Sequence, residues 1–306
     1  MYLRRPPEKR GDVESSKMLF TYGRYPLKVT ILIKSRGSGM HDSKTDHSKT
    51  GYSNAGNSDI VRWLSVLVAS LLLVACADAE SDPETSAFPW LTDLALGDEV
   101  QESGARLMAV PEGLHNVERE SSGAENTLQI GVHGWASRGY EWVYPLQMID
   151  TDEHATYWYR WDYQGCAVPA AEALEAAVQK VLAERPELTR VRIVGHSYGG
   201  VLVTSLIENW SLGVPVEIHA VAAPLARAEG ENPCPYRTPT RIAENVTFHE
   251  WRTLHHLDGA FKDRPVDPQI INLAGSQVTR LPDTYNGRRL GHNWSISWVA
   301  DEISQR

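Results

Sequence analysis

Five consecutive residues, Gly195-His196-Ser197-Tyr198-Gly199, set a serine hydroxyl between two glycines, and Gly200 follows. The run before them, Arg190–Val194, reads as a strand, and Tyr198–Trp210 after them reads as a helix. A G-x-S-x-G segment with those flanks is a sharp strand-to-helix turn that lifts one hydroxyl clear of a sheet. Side chains two positions to either side would collide in such a bend, so Gly195 and Gly199 are the expected clearance. The bend also aims a helix N-terminus at the serine, where the dipole favours negative charge. A free hydroxyl is a weak nucleophile and needs a neighbouring base to take its proton. The chemistry such a group could carry is attack on a carbonyl carbon.

The elements that must hold this turn alternate along the chain from about residue 100. Thr127–Val132 reads as a buried strand ending in a loop, and Ala155–Tyr163 as an aromatic strand. Ala170–Arg185 is predicted helical: Leu174, Ala177, Val178, Val181 and Leu182 recur at spacings suited to one helix face, and Pro186 stops the run. Val216–Ala223, Val246–Arg252 and Gln269–Ala274 read as strands, and Trp294–Ile303 as a terminal helix. Strands alternating with helices predict an α/β fold with a mostly parallel sheet covered on both faces. Trp135, Tyr140, Trp142, Tyr144, Trp158, Tyr159 and Trp161 are dense between residues 135 and 161. Most are expected in the core; those past Trp135 are candidates to line an acyl or aromatic pocket. The Pro-rich segment Pro224–Asn245 is long enough for a small cover held by Cys234, not for a helical cap domain. No nicotinamide fingerprint, P-loop or HExxH pattern is present.

Over roughly residues 125–304 the chain resembles the α/β-hydrolase family, in its lipase and esterase branch. The resemblance is carried by the Gly195–Gly199 turn, the upstream Val132-His133-Gly134-Trp135 and the late Gly291-His292-Asn293. It implies the α/β-hydrolase fold with minimal or no cap. It also implies the order nucleophile, acid, histidine. Ser197 is the expected nucleophile, and His292, between the last strand and the terminal helix, the expected base. The acid is expected in the loop after Val246–Arg252. There Asp258 stands first, in Leu257-Asp258-Gly259, with Asp263 and then Asp267 as alternatives. His255 and His256 lie near the acid loop and suit the base role less well; His196 is expected to face the core. Two backbone N–H groups must hold the developing oxyanion. Tyr198 and Trp135 are the expected donors, with Gly134 letting the backbone approach. The implied activity is hydrolysis of carboxylic esters, acyl or lipid esters, through an acyl-enzyme, with no cofactor and no metal. An acyltransferase on the same scaffold and a catalytically inactive binding lipoprotein are the alternatives.

The composition bounds these readings. The chain has 306 residues, 42% hydrophobic and 23% charged, as in soluble globular proteins. Net charge is −9, unevenly placed: residues 1–62 hold 12 Lys/Arg against 6 Asp/Glu, and residues 77–306 hold 18 against 33. An acidic body repels nucleic-acid phosphates, so no nucleic-acid partner is expected. Three cysteines are too few for a disulfide scaffold and wrongly spaced for zinc. Residues 1–62 read as a disordered leader, within which Met40 is an alternative start. Trp63–Ala75 is uncharged, follows Arg62, and has signal-peptide rather than membrane-span length. It ends in Leu73-Val74-Ala75-Cys76, which resembles the bacterial lipobox. That resemblance implies a diacylglyceryl group on Cys76, cleavage before it, and a lipid anchor in the bacterial envelope. By the same resemblance, Ala77, which is not Asp, implies the periplasmic side of the outer membrane. Residues 76–98 then form a tether and 99–306 the catalytic domain. In an exported protein Cys166 and Cys234 are candidates for a disulfide, with two free thiols as the alternative.

Overall fold

The computed structural model describes residues 88–226, 234 and 236–305. The leader, Met40, the signal run, Cys76 and the first part of the tether lie outside the described residues. The strands are β1 (Gly113–Asn116), β2 (Thr127–Val132), β3 (His154–Arg160), β4 (Arg190–His196), β5 (Val216–Val221), β6 (Val246–Arg252) and β7 (Gln277–Arg280). They form one sheet in the order β1-β3-β2-β4-β5-β6-β7. Only the β1–β3 pair is antiparallel. The helices are α1 (Val100–Ala109), α2 (Tyr140–Ile149), α3 (Ala167–Glu184), α4 (Tyr198–Thr204) and α5 (Ser295–Ser304). α3 and α4 pack on one sheet face with Leu128, Ile130 and Val132. α1, α2 and α5 pack on the other with Val194, Val221 and Trp251. Every residue of β2 is buried, as expected of a central strand with both faces covered. This is the α/β-hydrolase fold.

Several boundaries differ from the sequence expectation for local physical reasons. β3 stops at Arg160 because the Trp161 backbone N–H and indole N–H turn to His133, at 3.3 and 2.9 Å. α3 starts three residues early and carries Pro169 in its first turn, where a missing N–H costs no helical bond. α4 ends at Thr204, not Trp210. Thr204 and Ser205 hydroxyls bond back to the carbonyls of Gly200 and Val201, and the chain tightens into i−3 turns as far as Asn209. Gln269–Ala274 is not a strand; the last strand of the sheet is β7. Ile271 and Leu273 pack into the core without entering a ladder. The Gln269 amide is taken up by Thr253 and Asp267. The tether ends sooner than residue 98. Leu91 and Leu94 are buried, and Gln147 Nε2 donates to both of their carbonyls at 3.0 and 2.8 Å. Trp142, Trp158, Tyr159 and Trp161 are core residues, not pocket walls. Cys166, at the start of α3, is disulfide-bonded to Cys234 in the β5–β6 connection.

Candidate active site

Between β4 and α4, Ser197 sits at φ 55°, ψ −119°, a conformation that non-glycine residues rarely adopt. The turn is held from two sides: Ser197 N–H donates to Val221 O at 2.8 Å, and Val201 N–H donates to Ser197 O at 3.2 Å. The flanking glycines are required by contact. A β-carbon on Gly195 would lie 2.5 Å from Gly199 O, and one on Gly199 would strike the His133 carbonyl. A cleft of about 120 Å³ opens over the turn, walled by Gly134 and Trp135 on one side and His292 and Asn293 on the other, with Ser197 in its lining.

His292 lies just before α5. Its Nδ1 donates to Asp258 Oδ2 at 3.0 Å. The proton of the neutral ring is thereby placed on Nδ1, leaving a lone pair on Nε2. Phe261 meets the imidazole edge-on at 5.0 Å. Asp258 is fully buried. Its carboxylate also accepts from Thr253 Oγ1 at 2.5 Å and from Ala260 N–H at 2.8 Å. Burial alone would push its pKa up. The His292 bond first, then those from Thr253 and Ala260, outweigh burial and hold it below the ordinary carboxylate value. The two alternatives stand elsewhere. Asp263 is exposed. Asp267 pairs with Arg280 at 3.1 Å and accepts from Gln269. His255 Nε2 donates to Phe261 O at 2.8 Å, and His256 is exposed.

The loop after β2 is clamped by His133. Its Nδ1 donates to Gly134 O at 3.0 Å, its Nε2 accepts from Trp161 N–H, and its carbonyl accepts from the Trp161 indole. Burial lowers its pKa to about 4, so the ring that locks the loop is neutral. Gly134 is pressed under the turn, and the Trp135 side chain is 68% exposed. Tyr198, on the far side of Ser197, packs its ring 5.2 Å from Trp161 and donates its hydroxyl to Gly165 O at 3.2 Å. The same hydroxyl lies 3.9 Å from Cys234 Sγ, which brings the disulfide to the edge of the site.

His196 has a role that the sequence reading missed. It is buried, but its Nε2 donates to the His292 carbonyl at 3.1 Å and the two rings lie 4.7 Å apart. Burial first, and the nearby His292 second, lower its pKa to about 3. The available signal was a polar side chain at the end of the strand, directly after the apolar run Ile193-Val194-Gly195.

Away from the cleft, Glu217, His219 and His249 gather possible ligand atoms within 4.8 Å of one another. The geometry does not suit a metal ion. Trp251 Nε1–H donates to His219 Nδ1 at 3.0 Å, so the neutral ring carries its proton on Nε2, where a metal would need a lone pair. The two imidazoles stack 4.6 Å apart and 8° from parallel. Both lie within 3.2 Å of Glu217 Oε1 but are poorly aligned with it, and Arg192 takes the other carboxylate oxygen at 2.9 Å.

No family model matches the chain, and no curated protein matches it. Among solved structures it is similar to an α/β serine hydrolase without a lid from Xanthomonas campestris. The two are 15% identical, over 60% of this chain and 81% of that one, with a TM-score of 0.41. It is also similar to an esterase of Pyrococcus furiosus, 13% identical over 61% of this chain and 82% of that one, TM-score 0.41.

Proposed function

We propose that the chain is a serine hydrolase that cleaves carboxylic esters through an acyl-enzyme. The observation that carries this reading is the Asp258–His292 couple beside the strained Ser197, with His292 and Ser197 sharing one cleft. Ser197 Oγ attacks the ester carbonyl as His292 Nε2 takes its proton. The tetrahedral oxyanion is held by the N–H groups of Tyr198 and Trp135. His292 then gives the proton to the leaving alcohol, and water repeats the sequence to release the acid. Asp258 keeps the proton on Nδ1 and stabilises the imidazolium that forms. A cleft of about 120 Å³ suits a short acyl group better than a lipid chain. The Leu73–Cys76 pattern supports an envelope protein anchored through a lipid on Cys76, facing the periplasm.

The test is hydrolysis of p-nitrophenyl esters by the wild type and Ser197→Ala, with labelling by a fluorophosphonate probe. The wild type is expected to turn over and to be labelled once per chain. Ser197→Ala is expected to lose labelling and about three or more orders of magnitude of rate. Equal rates in the two proteins would sink the reading.

A further inference from the structure

His292 is held at its ring and at its backbone. Asp258 holds the ring through Nδ1. The backbone is held through its carbonyl, which accepts from Ser295 Oγ within its own segment and from His196 Nε2 across the site at 3.1 Å. His196 is the last residue of β4 and the immediate neighbour of Ser197. The strand that presents the serine therefore also holds the loop that presents the histidine.

We propose that His196 is a positioning residue that sets the reach between Ser197 and His292, by donating its Nε2–H to the His292 backbone carbonyl. This rests on the reading of Ser197 and His292 as nucleophile and base. Gly291, His292 and Asn293 belong to no helix or strand, so no ladder fixes their height above the sheet. Asp258 comes from a different loop, after β6, and orients the ring without tying it to the turn. The His196 bond supplies that tie at a position with one rigid backbone link to the nucleophile. The donor must be neutral, because the rings are 4.7 Å apart and a second positive charge would oppose the imidazolium formed in catalysis. Full burial keeps it so. A shift of about 1 Å between nucleophile and base is enough to cost about a hundredfold in rate.

The experiment compares the full-length wild type, Ser197→Ala, His196→Phe and His196→Gln. The readouts are kcat and KM on p-nitrophenyl butyrate, with thermal unfolding measured beside them. Phenylalanine keeps the ring and removes the donor; glutamine keeps an N–H donor near the same place. His196→Phe is expected to lose about 10- to 100-fold in kcat while KM stays within about threefold, and His196→Gln less than about tenfold in kcat. A folded Phe variant losing less than tenfold in kcat, a loss carried by KM, or a Gln variant no better than Phe would overturn the inference. Should the Phe variant not unfold cooperatively, a loss of about tenfold or more in kcat for the Gln variant would overturn the inference. A wild type no faster than Ser197→Ala removes the hydrolase reading and this inference together. An active wild type with variants that miss these expectations removes this inference alone.

Discussion

Gly134 is packed so tightly against Ser197 that a β-carbon on it would stand 2.9 Å from the β-carbon of the serine and 2.9 Å from His196 O. Real β-carbons do not approach backbone that closely, so the loop carrying Trp135 or the turn carrying Ser197 must give way to any side chain there. The loop is pinned by His133 and the turn by Val221, which leaves the cleft between them to absorb the change.

Gly134→Ala should therefore damage rate more than stability. Overpacking of this kind costs about 1–3 kcal/mol. Misplacement of an oxyanion donor costs about 10²–10³ in kcat. Urea unfolding and ester kinetics on the same preparation check both. A variant that keeps wild-type kcat would show that this loop supplies no donor.

Asp258 and Asp267 are both buried acids within one loop, and their partners separate them. Asp258→Asn places an amide against His292 Nδ1 and disturbs its tautomer; on the proposed mechanism a loss of up to about 10⁴ in kcat is expected. Asp267→Asn loosens the contacts to Arg280 and Gln269 and should lower the melting temperature while kcat stays within about threefold. Asp263→Asn, on an exposed site, should change neither. Steady-state kinetics with thermal melts on the three variants would reverse the assignment if Asp267→Asn were the inactive one.

What the sequence made legible follows from how local each cause is. The turn at Ser197 was readable because its glycines, strand and helix are contiguous, and the three acids could be ranked by distance from the end of β6. Other features depend on partners far away in the chain. α2 was missed because its aromatics and Pro145 obscure a helical face that only its contacts with the sheet and α5 reveal. Gln269–Ala274 alternates like a strand, but the amide of Gln269 finds better partners in Thr253 and Asp267 than in a ladder. The carbonyl that His196 holds is 96 residues away, and no local pattern encodes it.

The Cys166–Cys234 bond closes a loop with a sequence separation of 68, beside the hydroxyl of Tyr198. On the chain-entropy argument such a loop contributes about 4 kcal/mol to stability by restricting the unfolded chain. Reduction, or the paired Cys166→Ser and Cys234→Ser variant, should lower the unfolding free energy by about 2–4 kcal/mol. Denaturant unfolding with and without reductant measures it. An unchanged midpoint would mean that the bond is absent in solution or that the unfolded chain is already restrained.

Acid stability follows from the buried histidines. His133 and His219 have pKa values lowered to about 4 and His196 to about 3, in each case chiefly by burial. Unfolded, they take protons near the ordinary histidine value of about 6.5. Between about pH 6.5 and 4 the unfolded chain thus binds more protons at these sites, and stability is lost as pH falls. Glu118 acts in the opposite sense. Burial first, and Asp150 second, raise its pKa to about 9, so it favours the folded chain at low pH and loses that effect as pH rises toward 9. His154 is lowered by burial as well, so four histidines outweigh Glu118 and stability should fall as pH drops below about 6. Urea midpoints from pH 4.5 to 9 should peak near neutrality, and Glu118→Gln should flatten the alkaline side. A flat acid limb would show that these rings are solvated.

Acyl-length preference decides between a small-ester hydrolase and a lipase. The cleft at Ser197 has a volume of about 120 Å³. Of the aromatics nearest in sequence, Trp135 and Tyr140 line it, while Trp142, Trp158 and Trp161 are consumed by the core. A longer chain must run out along the surface past the exposed Trp135 and bury little area. Each added methylene is worth about 0.8 kcal/mol only where it leaves water, so kcat/KM should stop rising near butyrate. Across p-nitrophenyl esters from acetate to palmitate the profile should peak at two to four carbons and fall at least about tenfold by octanoate. A profile that climbs steadily to palmitate would overturn this expectation.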